Sequence, residues 1–202
     1  MLSLRTLCSV RSHRLIAFSS VRSISIGTDL ISTCRSSWQK ARPWYNSESE
    51  GSNMDADNIL TMSDIFQGKT VVVFGVPAPF TGTCTHAHYP PFKRLANEFQ
   101  SPTAAGSKLV DSILCYSVTD PYAMYGWSKS MGNDDSHIQF VADVDAAWAK
   151  EMGLNAEYPQ VSLSVRSKRF SMLVKNGIVK TFHIVDDAAK DAEILLEEAK
   201  NV

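Results

Sequence analysis

The stretch TVVVFGVPAPFTGTCTHAHYPPFKRL, residues 70–95, carries three kinds of local structure in a row. TVVVFGV (70–76) is apolar and rich in β-branched residues, which predicts a buried strand. The segment from Pro77 to Thr83 alternates proline, glycine and threonine, which predicts a loop. HYPPFKRLANEF (88–99) then brings back Tyr89, Phe92, Leu95 and Phe99 near helical spacing, with Pro90 and Pro91 early, where a first turn tolerates them. Cys84 falls at or inside the first turn of that helix.

Outward from this unit the pattern repeats with variations. SPTAAGSK (101–108) reads as a loop and DSILCYSV (111–118) as a second buried strand. TDPYAMYGWSKSMG (119–132) is expected to be a turn and then a helix ended by Gly132. IQFVADV (138–144) is a third strand, and DAAWAKEMGL (145–154) a short helix with an Asp cap. RFSMLVKNGIVKTFHIV (169–185) reads as a hairpin turning at Asn176-Gly177. DAAKDAEILLEEAK (187–200) is an amphipathic last helix with Ile194, Leu195 and Ala199 on its apolar face. Strands alternating with helices, then a hairpin and a helix, predict an α/β protein with a central mixed sheet flanked by helices, the build of a thioredoxin-like fold.

The ends of the chain differ in character. Residues 1–28 hold four arginines and seven serines but no Asp or Glu, the profile of a transit peptide. Residues 29–57 are polar and aperiodic and read as a linker, leaving residues 58–202 as one domain. A formal net charge of −1 gives no footprint for nucleic acid. No apolar run approaches the roughly 18 residues that span a membrane. Of the four cysteines, Cys8, Cys34, Cys84 and Cys115, none forms a CxxC or a zinc spacing. Two remain in the domain, which suits a reduced compartment and reactive thiols better than a disulfide-stapled scaffold.

Cys84 is the residue whose surroundings call for chemistry. The first turn of a helix has unpaired N–H groups and the positive end of the dipole, and both favour a thiolate. Cys115, inside SILCYSV, reads as an inert core cysteine. Cys84, His86 and His88 could suggest a metal, but helix positions two apart point to different faces. A Cys-His hydrolase would draw a base from His86, His88 or His183, yet no oxyanion-hole motif accompanies it. A thiol–disulfide oxidoreductase would normally need CxxC, and Thr81 occupies the first of those positions.

Four motifs in order resemble the type II (peroxiredoxin-5-like) peroxiredoxins, the plant mitochondrial members in particular. They are VVVFGVPAPFTGTC, HYPPF, ILCYSVTDPYAMYGW and RSKRFSMLVKNGIVK, and the resemblance runs from about Ser63 to the C-terminus. It implies a thiol-dependent peroxidase that reduces hydrogen peroxide and organic hydroperoxides, with no cofactor or metal. Within it, Cys84 matches the peroxidatic cysteine, oxidised to a sulfenic acid. Thr81 matches the threonine that contacts thiolate and peroxide, and Pro77 the proline that shields the site. Arg169 matches the arginine that stabilises the anion, with Arg166 a nearby competitor. His88 matches a family histidine read here as structural, and His86 reads as a solvated surface residue.

The chain departs from that family in three places. Pro77-Ala78-Pro79-Phe80 replaces the usual Pro-Gly-Ala before the aromatic residue. No V-G-D-x-x-P segment, the usual builder of a first hairpin, precedes Ser63. The loop at 101–108 lengthens the Cys84–Cys115 separation to 31 residues. Cys115 matches the second cysteine of plant type II enzymes and is the possible resolving residue, paired with thioredoxin as reductant. The alternative route is direct resolution by glutathione and glutaredoxin, which the mid-strand place of Cys115 slightly favours. The resemblance also implies a homodimer and, with the arginine-rich leader, the mitochondrial matrix, a plastid being the alternative. The competing function is a non-catalytic thioredoxin-like redox-sensing or chaperone module.

Overall fold

The structure, a computed structural model, describes residues 23–44, 58–104, 106–134 and 137–202. Its elements in chain order begin with α1 (Leu30–Thr33), β1 (Trp38–Lys40), β2 (Ile59–Leu60), α2 (Met62–Phe66) and β3 (Thr70–Gly75). A π-helical turn (Cys84–His88) leads into α3 (Tyr89–Phe99), then β4 (Ser112–Ser117), α4 (Pro121–Ser130) and β5 (Ile138–Ala142). After α5 (Ala147–Glu151) come β6 (Asn155–Tyr158), β7 (Leu163–Ser167), β8 (Phe170–Lys175), β9 (Ile178–Ile184) and α6 (Asp191–Ala199).

Seven strands form one sheet in the order β2-β1-β5-β4-β3-β8-β9. β3 lies inside it, parallel to β4 and antiparallel to β8. Mixed pairing with helices on both faces is the expected α/β architecture, and it explains the apolar run of β3. With both faces covered, every side chain of Val71–Phe74 is buried. The alternation sorts them. Val72 and Phe74 join Phe92, Phe99, Cys115 and Leu195 on the face covered by α3 and α6. Val71 and Val73 join Trp38, Tyr116, Trp148 and Phe170 on the other. Gly75 lets the strand end beside Phe170: a Cβ there would lie 2.1 Å from that ring.

Several sequence expectations shift in detail. The linker expected over 29–57 is in part folded. Leu30 and Trp38 are fully buried, and β1 pairs with both β2 and β5. The backbone from Gly27 to Leu30 is bonded to the β8–β9 hairpin, through Gly27 N–H to Val179 O, Leu30 N–H to Gly177 O and Val179 N–H to Thr28 O. Of the transit-peptide segment 1–28, residues 1–22 lie outside the described residues, as does 45–57 of the linker. The Asp cap of α5 is Asp143 and not Asp145. Its carboxylate accepts from the Trp148 and Ala149 N–H groups and from the Tyr116 hydroxyl, while Asp145 adopts a left-handed φ of 61°. On α6, Leu195, Leu196 and Ala199 are buried but Ile194 is 49% exposed. The antiparallel pair β6–β7 has no counterpart in the sequence reading.

Candidate active site

The loop leaving β3 puts Cys84 at a helix start, because proline and glycine prevent the strand from continuing and helical backbone begins at Gly82. The turn from Cys84 to His88 is π-helical, closed by Tyr89 N–H donating to Cys84 O. Such turns are uncommon and concentrate at functional sites. Cys84 is 1% exposed.

Arg169 reaches this sulfur from the residue before β8. Its Nη2 lies 3.4 Å from Cys84 Sγ, and its Nη1 lies 3.0 Å from His88 Nδ1. A guanidinium can only donate, so Nδ1 of His88 must be the acceptor and the ring proton must sit on Nε2. That Nε2–H meets Asp191 Oδ2 at 2.8 Å. The other carboxylate oxygen accepts from Ser171 Oγ at 2.7 Å. His88, Ser171 and Asp191 are all buried. Burial holds His88 below the usual imidazole value of 6.5. Asp191 opposes this through its hydrogen bond and its charge, and the Arg169 cation adds to the lowering.

The remaining sequence-selected residues fall as follows. Thr81 stands in the same loop, its hydroxyl donating to Ala78 O at 2.9 Å and leaving its lone pairs for another donor. Pro77 is half-buried at the strand exit. Arg166 lies on β7 and bonds its own strand at Val165 O, so Arg169 is the arginine at the sulfur. His86 is exposed. His88, read as structural, instead touches the arginine that touches the cysteine. Cys115 pairs in register with Phe74 and is fully buried. Burial pushes its thiol well up, and the charge of nearby Cys84 adds to this. Cys34, Cys84 and Cys115 are all free. Among the described residues no group of three or more His, Cys, Asp or Glu side chains gathers as a metal would require.

Asp191, Ser171 and Tyr158 escaped the sequence reading. Tyr158 donates to Ser167 O and lies within the electrostatic reach of Arg169 and Cys84; burial raises its phenol. Only Ser171 left a trace. In a strand, positions 169 and 171 share a face.

A buried cysteine at a helix start, held under an arginine on a thioredoxin-like sheet, defines a thiol redox protein. Residues 48–197 match the family model described as Redoxin. The chain is 36% identical to "Peroxiredoxin-2F, mitochondrial" of Arabidopsis thaliana, over 96% of this chain and 92% of that one. It is 34% identical to the protein of the same name from Oryza sativa subsp. japonica, over 87% and 85%. Among solved structures, reduced Prx3 of Vibrio vulnificus in complex with hydrogen peroxide superposes with a TM-score of 0.68 at 26% identity, over 87% of this chain and 99% of that one. Peroxiredoxin 5 of Alvinella pompejana shares the fold, with a TM-score of 0.66 at 20% identity, over 87% and 98%. The chain belongs to the peroxiredoxins, within the type II (peroxiredoxin-5-like) group, and is a thiol-dependent peroxidase.

Proposed function

We propose that Cys84 is the peroxidatic residue and that Arg169 and Thr81 are its catalytic partners. The observation that carries this is the 3.4 Å approach of Arg169 Nη2 to Cys84 Sγ. A cation fixed beside the sulfur favours the thiolate, which is the nucleophile. The thiolate attacks one peroxide oxygen; the S–O bond forms as the O–O bond breaks. The leaving hydroxide or alkoxide takes a proton from solvent. Cysteine is oxidised by two electrons to sulfenic acid and the peroxide is reduced to water or alcohol. The guanidinium stabilises charge as it moves from sulfur to the leaving oxygen. Thr81 presents hydroxyl lone pairs to the peroxide O–H, and Pro77 walls the loop.

Recycling then follows by glutathione and glutaredoxin. One thiol displaces water from the sulfenic acid to form a mixed disulfide, and a second releases Cys84. The burial of Cys115 in mid-strand favours this over an intramolecular disulfide reduced by thioredoxin, because pairing would first require local unfolding. The mitochondrial matrix is the proposed compartment, supported by the basic leader and the mitochondrial names of its relatives. Exposed Phe80, 60% accessible within the active-site loop, supports a homodimer formed through that face.

The test is steady-state peroxide consumption by the full chain, with a thioredoxin system and separately with glutathione plus glutaredoxin. Cys84→Ser abolishes turnover with either donor, and Cys115→Ser keeps turnover with glutaredoxin. Loss of glutaredoxin-supported turnover in Cys115→Ser would assign the resolving step to Cys115.

A further inference from the structure

Five side chains from three elements form one chain of contacts: Cys84, Arg169, His88, Asp191 and Ser171. The π-helical turn supplies Cys84 and His88, the residue before β8 is Arg169 and its second residue is Ser171, and the first turn of α6 supplies Asp191. Arg169 and Cys84 belong to the proposed reaction. Asp191 and Ser171 touch no reacting atom, and they lie 103 and 87 residues from His88 and Cys84.

We infer that Asp191, oriented by Ser171, is the positioning residue that fixes the His88 tautomer and through it the arginine at the peroxidatic sulfur. The inference rests on the peroxidase reading of Cys84 given above.

The physical case starts at the guanidinium. Its fork is rigid, so the direction of Nη1 sets the direction of Nη2. Nη1 donates to His88 Nδ1, which requires a lone pair there. The lone pair exists only in the Nε2–H tautomer. That tautomer leaves a donor in a site with 0% exposure, where a donor without an acceptor is costly. Asp191 Oδ2 is the acceptor. A carboxylate rotates about its last bond unless its second oxygen is held, and Ser171 Oγ holds it. The ring that results is a stated-tautomer scaffold, comparable to the carboxylate–histidine pairs that orient metal ligands.

Two substitutions separate this role from a merely structural one. Asp191→Asn can keep the arrangement: its amide oxygen accepts from His88 Nε2–H and its NH2 donates to the Ser171 oxygen. Asp191→Ala removes the acceptor, freeing His88 to take the other tautomer and turn Nδ1–H against Arg169. The experiment measures kcat/KM for hydrogen peroxide and the rate of Cys84 alkylation by iodoacetamide in the full chain. Melting curves run alongside, in a background carrying Cys8→Ser, Cys34→Ser and Cys115→Ser so that Cys84 is the one thiol followed. Asp191→Ala is expected to lower both rates in parallel by about 10- to 100-fold, the range seen when such an outer hydrogen-bond partner is lost. Asp191→Asn is expected to keep most of both. Wild-type rates in a folded Asp191→Ala, or an Asp191→Asn as impaired as Asp191→Ala, overturn the inference. Should Asp191→Ala fail to fold, histidine 15N shifts of the reduced wild-type chain decide it. A neutral His88 protonated at Nε2 is required, and protonation at Nδ1 overturns it. If wild type consumes no peroxide, the peroxidase reading fails, while the alkylation rates and the tautomer still judge the positioning role.

Discussion

Arg169 is asked to hold two partners at once, and its chemistry shows why another cation would not serve. The guanidinium spans His88 Nδ1 and Cys84 Sγ with two nitrogens of one plane. An ammonium is a point charge with no fixed second arm. Arg169→Lys should therefore retain only part of the activity, and Arg169→Met should lower kcat/KM by about 100- to 1000-fold, as when a preorganised donor is removed. Peroxide kinetics on both variants check this. His88 supplies a pH prediction. Its native value lies below 6.5, burial being the largest cause. Above 6.5 both native and unfolded rings are neutral. As pH falls through 6.5 the unfolded ring takes a proton that the native ring refuses, so stability drops toward acid. The groups facing the ring are Arg169, which adds to this, and Asp191, which opposes it. Stability of His88→Gln measured by denaturant at successive pH values should fall less steeply below 6.5 than wild type. An equal slope would remove His88 as the source. Protonation of the native ring, which its lowered value puts at more acid pH, fills Nδ1 and takes away the acceptor for Arg169, so activity should decline at lower pH than the onset of the stability loss.

At the scale of elements, what was legible followed from repeated local signals. β3 and β4 announce themselves by unbroken apolar runs, β5 by a run interrupted at exposed Gln139, and the hairpin by Asn176-Gly177, both with positive φ, 48° and 82°. β1, β6 and β7 did not, because three to five residues of mixed polarity carry no period. The Asp cap of α5 was misplaced by two residues because both Asp143 and Asp145 precede the helix, and only the fold shows which carboxylate faces Trp148 N–H. Within the candidate site, Cys84 and Arg169, which the fold brings to 3.4 Å of each other, were both named from their motifs. Asp191 was not, since nothing in DAAKDAEILL distinguishes a carboxylate aimed at a buried histidine from one on a solvated face. The β8–β9 turn gives an element-level test. A Cβ at Gly177 would adopt a disfavoured φ and lie 2.6 Å from Ile31 Cδ1. Gly177→Ala should cost about 1–2 kcal/mol through the backbone alone. Adding Ile31→Ala should recover the steric part in denaturant unfolding, a coupling absent if α1 did not pack on this turn.

The whole molecule extends further toward the N-terminus than its polarity suggested. ISTCRSSWQK has the composition of a linker, yet Trp38 packs against Phe66, Tyr116 and Trp148, with ring centroids 6.1, 5.1 and 5.1 Å away. A single large aromatic can anchor a segment whose other residues are polar, and composition averaged over 29 positions hides it. Glu151 ties the same segment from the other side, accepting from the Arg35 and Ser36 N–H groups and the Ser36 hydroxyl. Its carboxyl is held below the usual range: those hydrogen bonds outweigh the burial that pushes it up. Sheet, aromatic cluster and active site are therefore one cooperative body, because Tyr116 and Trp148 also contact Phe170, the neighbour of Arg169. Trp38→Ala should cost about 3–5 kcal/mol, as for other fully buried aromatics. Against a total of roughly 5–15 kcal/mol for a domain, that endangers folding at physiological temperature. A chain starting at residue 45 should show the same loss, whereas one starting at residue 23 keeps β1 and should melt close to the full chain. Calorimetry of the three forms tests this, and equal melting of the chains starting at 23 and 45 would return residues 23–44 to the status of a linker. It also bounds any removal of the N-terminal segment: cleavage that leaves the domain stable must fall before Ile24, whose N–H donates to Met152 O and whose side chain is buried.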